Sequence, residues 1–134
     1  MNVRRSEELD VREVGDIVAV RQQTRQWAGE LGLSLVDQTK IVTAASELAR
    51  NVVVYGGGGS VRLELLENGV KKGLRLTFAD QGPGIPDVQR ALEDGFTTGA
   101  GLGLGLGGAR RLVNEFAIDS EVGRGTTVTI ARWT

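Results

Sequence analysis

The chain has 134 residues, which is expected to make one domain, 1–134, around one core. Its 16 Lys and Arg nearly balance 17 Asp and Glu, which speaks against nucleic acid or a membrane surface as partner. With Cys 0 and His 0 there is no disulfide framework, no thiolate chemistry, no Ser–His–Asp triad and no phosphoacceptor histidine; with no long apolar run and a charged Met1–Glu8 start, a cytoplasmic protein is expected.

Leu9–Val14 reads as a short strand, followed by Asp16 as a helix N-cap. Ile17, Val20, Thr24, Trp27 and Leu31 recur at helical spacing and define a first amphipathic helix that ends near Gly32. Ser34 with Asp37 three residues on resembles a capping box, and opens a second helix. Its apolar stripe is Val36, Ile41, Ala44, Ala45, Leu48, Val52 and Val53, and it stops at Gly56; Gly56–Gly59 read as a flexible link. Val61, Leu63 and Leu65 alternate with Arg62 and Glu64, the pattern of a half-buried strand. Asn68-Gly69 marks a hairpin into a partner strand carrying Leu74, Leu76 and Phe78.

Asp80–Pro86 is a Gly/Pro loop, and Asp87 caps a short helix to about Asp94. Gly95–Gly108 is too rich in glycine to be regular throughout. Ala109–Phe116 reads as a helix. Ala117–Val122 and Thr126–Trp133 read as closing strands joined at Gly123-Arg124-Gly125. The order predicts an α/β fold, a two-layer sandwich of a mixed β-sheet with helices on one face.

Three constellations carry chemistry. Glu47 and Asn51 stand four apart on the second helix, hence on one face. An amide oxygen suits magnesium, and a carboxylate one turn away can accept a proton; alone, such a pair is more often a solvated helix face. Asp80-Gln81-Gly82-Pro83-Gly84-Ile85-Pro86 follows a strand. Asp80 can accept from an exocyclic amine, Gly82 and Gly84 admit a flat ring, and Ile85 offers an apolar contact; ordinary turn chemistry explains the same string.

The third is Thr97–Gly108, whose small residues run into a helix and form an anion cradle or a mobile lid. Gly103-x-Gly105-x-x-Gly108 matches a dinucleotide fingerprint only formally, because no strand precedes it. No protein-kinase signature set and no Walker sequence is present. A plain linker would be serine-rich rather than carry Leu102, Leu104 and Leu106.

In this order the three resemble the GHKL (Bergerat-fold) ATPase family. Glu47-x-x-x-Asn51 is similar to its N box, Asp80-x-Gly82-x-Gly84 to its first glycine box, and Gly101–Gly108 to its second glycine box and lid; Gly125-Thr126 is similar to its Gly-Thr pair. The resemblance implies ATP and Mg²⁺ as cofactors. It implies that Asn51 ligates the metal, Glu47 is the base and Asp80 accepts from the adenine amine. Gly82, Gly84 and Ile85 then shape the adenine pocket, Gly101, Gly103, Gly105, Leu106 and Gly107 close over the phosphates, and Thr126 supports the Asp80 end through water. Where many relatives have a basic residue three or four positions after the Asn, this chain has Val54 and Tyr55. Arg50, Arg110 and Arg111 are the candidate replacements.

Length and the missing histidine point, within the family, to stand-alone bacterial serine/threonine kinases of sigma-factor partner switching. Ser46–Asn51, Asp80–Asp87, Glu93–Thr98 and Lys71–Leu74 resemble the RsbT-type switch kinases. That resemblance implies phosphorylation of Ser or Thr on STAS-domain proteins of a stressosome, and activation of a PP2C-type phosphatase by binding. The alternatives are an anti-sigma factor kinase that holds a sigma factor directly, a nucleotide-switched binding module without kinase activity, and a slow stand-alone ATPase.

Overall fold

In a computed structural model, which describes residues 1–93 and 105–134, the chain order is β1 (Asn2–Val11), α1 (Val14–Leu31), α2 (Leu35–Val54), β2 (Gly59–Asn68), β3 (Lys71–Asp80), α3 (Val88–Ala91), α4 (Leu106–Arg111), β4 (Glu115–Glu121) and β5 (Gly125–Trp133). The strands form one sheet in the order β1-β2-β3-β5-β4. Alternation along each strand puts one set of side chains on the helix side. Across the sheet, Leu63 stands opposite Leu76, Leu76 opposite Ile130, and Ile130 opposite Phe116; Val61, Phe78, Val128 and Ile118 make the next row. These rows pack on Val20, Trp27, Ile41, Ala45 and Leu48 from the long helices. Each fully buried apolar side chain of this kind contributes roughly 1.5–3 kcal/mol. The opposite face carries Arg62, Thr77, Thr129 and Ala117 in one row, so the architecture is the expected two-layer sandwich.

The sheet itself is not mixed. All its pairings are antiparallel: β2–β3 and β4–β5 are hairpins, and β1–β2 and β3–β5 pair antiparallel across longer connections. The first strand is also longer than its apolar content implies. It is an edge strand held by backbone pairing from Asn2 opposite Glu67 to Val11 opposite Gly59. Its charged side chains lie along α1: Arg5 Nη1 donates to Glu30 at 3.0 Å, Glu7 accepts from Gln23 at 2.8 Å, and the Arg5 guanidinium stacks 4.4 Å over the buried Trp27 ring.

Helix α1 starts at Val14 rather than after Asp16. Asp16 is in the first turn, and its carboxylate accepts from the N–H groups of Arg12 (2.9 Å) and Glu13 (3.2 Å). Ser34 caps α2 as expected, its Oγ accepting from the Asp37 N–H at 3.1 Å. The Asp87 cap holds only the four-residue α3, with its carboxylate accepting from the Arg90 N–H at 3.1 Å. The expected helix over 109–116 divides instead into α4 and β4. Leu106 is buried, which starts the helix earlier, and Phe116 pairs opposite Ile130, which takes the later residues into the sheet. No described helix is long and apolar enough to cross a membrane.

Arg132 ties the layers together. Its Nη2 donates to Asp37 at 2.7 Å and its Nη1 to the Leu112 carbonyl at 3.0 Å, with only 14% of the Arg132 side chain exposed. Asp37 thus serves β5 as well as the start of α2. Replacing Arg132 with Ala is expected to lower the free energy of urea unfolding by about 1–3 kcal/mol, the range for hydrogen bonds to charged groups. Arg124→Ala, which loses an ion pair whose side chains are 79% and 65% exposed, should change it by less than about 0.5 kcal/mol. Equal losses in the two variants would contradict the strut.

Candidate functional site

A cavity of about 360 Å³ opens between the end of α2, the end of β3, the loop that follows it, and the start of α4. Helix α2 and its C-cap contribute Leu48, Asn51, Val52, Tyr55 and Gly56. Strand β3 contributes Phe78 and Asp80, the loop Pro83 to Asp87, α3 Arg90, α4 Leu106, and β5 Thr126 and Val128. The wall is mostly apolar, with few polar groups aimed across it, the usual composition of a small-molecule site.

Asp80 sits where backbone crowds most closely. A Cβ on Gly56 would lie 2.5 Å from Asp80 Cβ and Cγ, and one on Gly82 would lie 2.7 Å from Gly56 Cα. On the other sides, a Cβ on Gly59 would strike the Ala79 carbonyl oxygen, and one on Gly125 the Asp80 carbonyl oxygen. Only glycine allows α2, β2 and β5 to converge on this strand end. The Asp80 carboxylate accepts from the Gly82 N–H at 2.9 Å, which fixes one oxygen and orients the group.

The segment after α2 is not a slack link. Asn51 carbonyl accepts from the N–H groups of Tyr55 (2.9 Å) and Gly56 (3.1 Å), and the Val52 carbonyl from that of Gly58 (2.9 Å). Gly57 and Gly58 turn the chain at φ of 72° and 109°. The helix therefore stops beside Asp80 with Asn51 in the cavity wall.

The loop with Gly84 and Ile85 is held from the β4–β5 hairpin. Ser120 Oγ accepts from the Ile85 N–H at 2.7 Å and is hydrogen-bonded to Thr126 Oγ1 at 2.8 Å; Pro83 carbonyl accepts from the Gly123 N–H at 2.9 Å. A Cβ on Gly84 would strike the Glu121 carbonyl oxygen, and its φ is 78°. Thr126 stands directly opposite Asp80 in the β3–β5 ladder and lines the cavity.

Glu47 lies one turn before Asn51 on α2, at the rim rather than in the wall. Gly105 caps α4 at φ 66°, and a Cβ there would lie 2.6 Å from Glu47 Oε2. Leu106 and Gly107 are buried just beyond. Gly101 and Gly103 lie outside the described residues. The structure thus brings Asn51, Asp80, Gly84, Ile85, Leu106 and Thr126 to one cavity, with Gly82, Glu47 and Gly105 touching its edges.

Arg50, Arg110 and Arg111 are exposed, and the cavity wall includes none of them; among the described residues its cationic side chain is Arg90. Sequence reasoning missed Arg90, Gly56 and Ser120. A Gly-to-Asp pairing across 24 positions of chain, or a serine inside a strand, leaves no local pattern to read.

The donor set fits a nucleotide and its metal. The apolar cavity beside Asp80 has room for a flat ring, and the Asn51 amide is a hard oxygen donor of the kind magnesium takes alongside phosphate and water. No group of three acidic side chains gathers elsewhere among the described residues to hold the metal alone.

Residues 36–133 match the family model described as histidine kinase-, DNA gyrase B- and HSP90-like ATPase. The chain is 50% identical over 118 residues to serine/threonine-protein kinase RsbT of Bacillus subtilis, covering 88% of this chain and 89% of that one. It is 33% identical over 110 residues to the anti-sigma F factor of Geobacillus kaustophilus, covering 76% and 73%. Among solved structures, the RsbU and RsbW domains of a Mycobacterium tuberculosis protein superpose with a TM-score of 0.63 at 27% identity over 94% of this chain, which spans 32% of that one. The catalytic domain of histidine kinase ThkA shares the fold, with a TM-score of 0.52 at 16% identity, over 94% of this chain and 95% of that one.

Gly56→Ala is expected to push Asp80 aside and weaken ATP binding by about 10-fold or more, the scale of one displaced buried hydrogen bond. Gly15→Ala, where a Cβ meets nothing within 4 Å, should leave binding unchanged. Calorimetric titration of both variants checks this, and full-strength ATP binding by a folded Gly56→Ala protein would refute the packing argument.

Proposed function

This chain belongs to the histidine kinase-, DNA gyrase B- and HSP90-like ATPase family, and on that footing we propose that it is an ATP-dependent serine/threonine protein kinase of a partner-switching pathway. Its substrates in this reading are STAS-domain proteins of a stressosome in the cytoplasm, and it then activates a PP2C-type phosphatase by direct binding. The observation that carries the reading is the meeting of Asn51 and Asp80, from a helix and a strand, in one cavity with Glu47 at its rim.

Phosphoryl transfer asks chiefly for positioning and for stabilisation of charge. The Asp80 carboxylate accepts from the adenine amine, while Phe78, Ile85 and Val128 give the ring an apolar seat. Asn51 holds magnesium through its side-chain oxygen. Bound there with the triphosphate, magnesium supplies neutralisation of phosphate charge. Gly105, Leu106 and Gly107 border the phosphates. Glu47 accepts the proton of the acceptor hydroxyl as that oxygen bonds to the γ-phosphorus; the bond from that phosphorus to the bridging oxygen breaks, and ADP leaves with the electron pair.

The position of Glu47 at the rim suits this role, since the acceptor belongs to a second protein and must arrive from outside. An anti-sigma factor that binds its sigma factor directly is the second reading, favoured by the likeness to the anti-sigma F factor, though at 33% identity against 50% for RsbT.

Glu47→Gln should lower transfer of label from γ-labelled ATP to a STAS-domain acceptor by about 100-fold or more, with ATP affinity within about threefold of wild type. Asn51→Ala should lose magnesium-dependent ATP binding as well. Wild-type transfer by Glu47→Gln removes the base assignment, and free phosphate without labelled partner makes the chain an ATPase rather than a kinase.

A further inference from the structure

We propose that Arg90 is the cavity's own cation for the nucleotide's phosphates, so that it favours ATP over uncharged adenosine. The proposal rests on the reading of the cavity as a nucleotide site. A triphosphate brings several negative charges to a wall that already holds the carboxylates of Asp80 and Asp87. Magnesium offsets part of that charge, and the like-charge cost of the remainder falls on the protein. Among the described residues, Arg90 is the cationic side chain in the wall. Arg90 is exposed, as are Arg50, Arg110 and Arg111, but those three are not part of the wall.

The backbone of Arg90 is fixed for the task. Asp87 accepts from its N–H at 3.1 Å, and the next residue, Ala91, is 2% exposed and belongs to the core. The short helix is thereby pinned to the cavity's edge, directly after the loop that carries Ile85. Arg90 stays exposed to solvent at that edge, so its attraction for phosphate is a screened and salt-dependent one. A guanidinium presents a planar fork of donors that matches phosphate oxygens, and it stays charged at all working pH values.

The test is calorimetric titration of the full chain with adenosine, ADP and ATP in the presence of magnesium, for wild type, Arg90→Gln, Arg90→Lys and the remote Arg124→Gln. The proposal predicts that Arg90→Gln weakens ATP by about 10-fold or more, ADP by less, and adenosine by less than about twofold. Arg90→Lys should recover most of the ATP affinity, and the salt dependence of ATP binding should be shallower in Arg90→Gln than in wild type. Arg124→Gln should match wild type throughout. Unchanged ATP affinity in Arg90→Gln, or an equal loss for adenosine and ATP, overturns this role for Arg90 while leaving the nucleotide site standing. A wild-type chain that binds none of the three overturns both.

Discussion

The end of β3 is the point on which the rest of the structure depends. Gly56, Gly59 and Gly125 bring backbone from the end of α2, β2 and β5 so close to Asp80 and its neighbour Ala79, and Gly82 in the following loop comes so close to Gly56, that none of the four has room for a Cβ. That convergence fixes a carboxylate at the edge of an apolar cavity, and it fixes where α2 stops. Asn51 then faces the cavity because the helix ends beside Asp80, and Glu47 one turn earlier reaches its rim. A shift of a few tenths of an ångström at any of these contacts moves the Asp80 carboxylate relative to the Asn51 amide. Positioning of that accuracy is the main contribution a protein makes to phosphoryl transfer.

Supporting elements act through this junction. The rows of apolar residues across the sheet hold β3 in register between β2 and β5, and Arg132 binds the start of α2 to the turn before β4. The β4–β5 hairpin takes a second role: Ser120 and Gly123 fasten the loop that carries Pro83 to Ile85. Rigid sheet, rigid loop and helix end form the floor of the site. The start of α4 borders the other side, where Gly105 meets Glu47. An acceptor from a second protein can reach the rim without disturbing the floor, which accords with a kinase that acts on protein partners.

Much of this was legible from local chemistry. The helical spacing of Val20, Trp27 and Leu31, the Ser34 cap and the Asn68-Gly69 turn mark elements that the structure contains, since each signal lies within one element. Asn51 and Asp80 stood out as candidates through their likeness to family boxes, and both line the one cavity. What escaped depends on contacts between distant segments. The length of β1 comes from pairing with β2 rather than from apolar alternation, and Phe116 joins the sheet because Ile130 stands opposite it. The antiparallel sense of every pairing is set by how the connecting segments turn the chain, not by residue type. Gly56 resembles a linker until Asp80 is placed against it, and Arg90, a solvated charge, is seen to border the cavity only once distant segments are brought together.

The direct measurement of the central claim is nucleotide preference at Asp80, by competition between ATP and GTP in wild type and Asp80→Asn. The Gly82 N–H holds one carboxylate oxygen, so in Asp80→Asn the amide oxygen takes that place and the NH₂ group faces the base. The account predicts a wild-type preference for ATP of about 10-fold or more, and its collapse in Asp80→Asn, as a donor then confronts the adenine amine. A wild-type protein indifferent to the base, or an Asp80→Asn protein with the preference intact, would contradict the account.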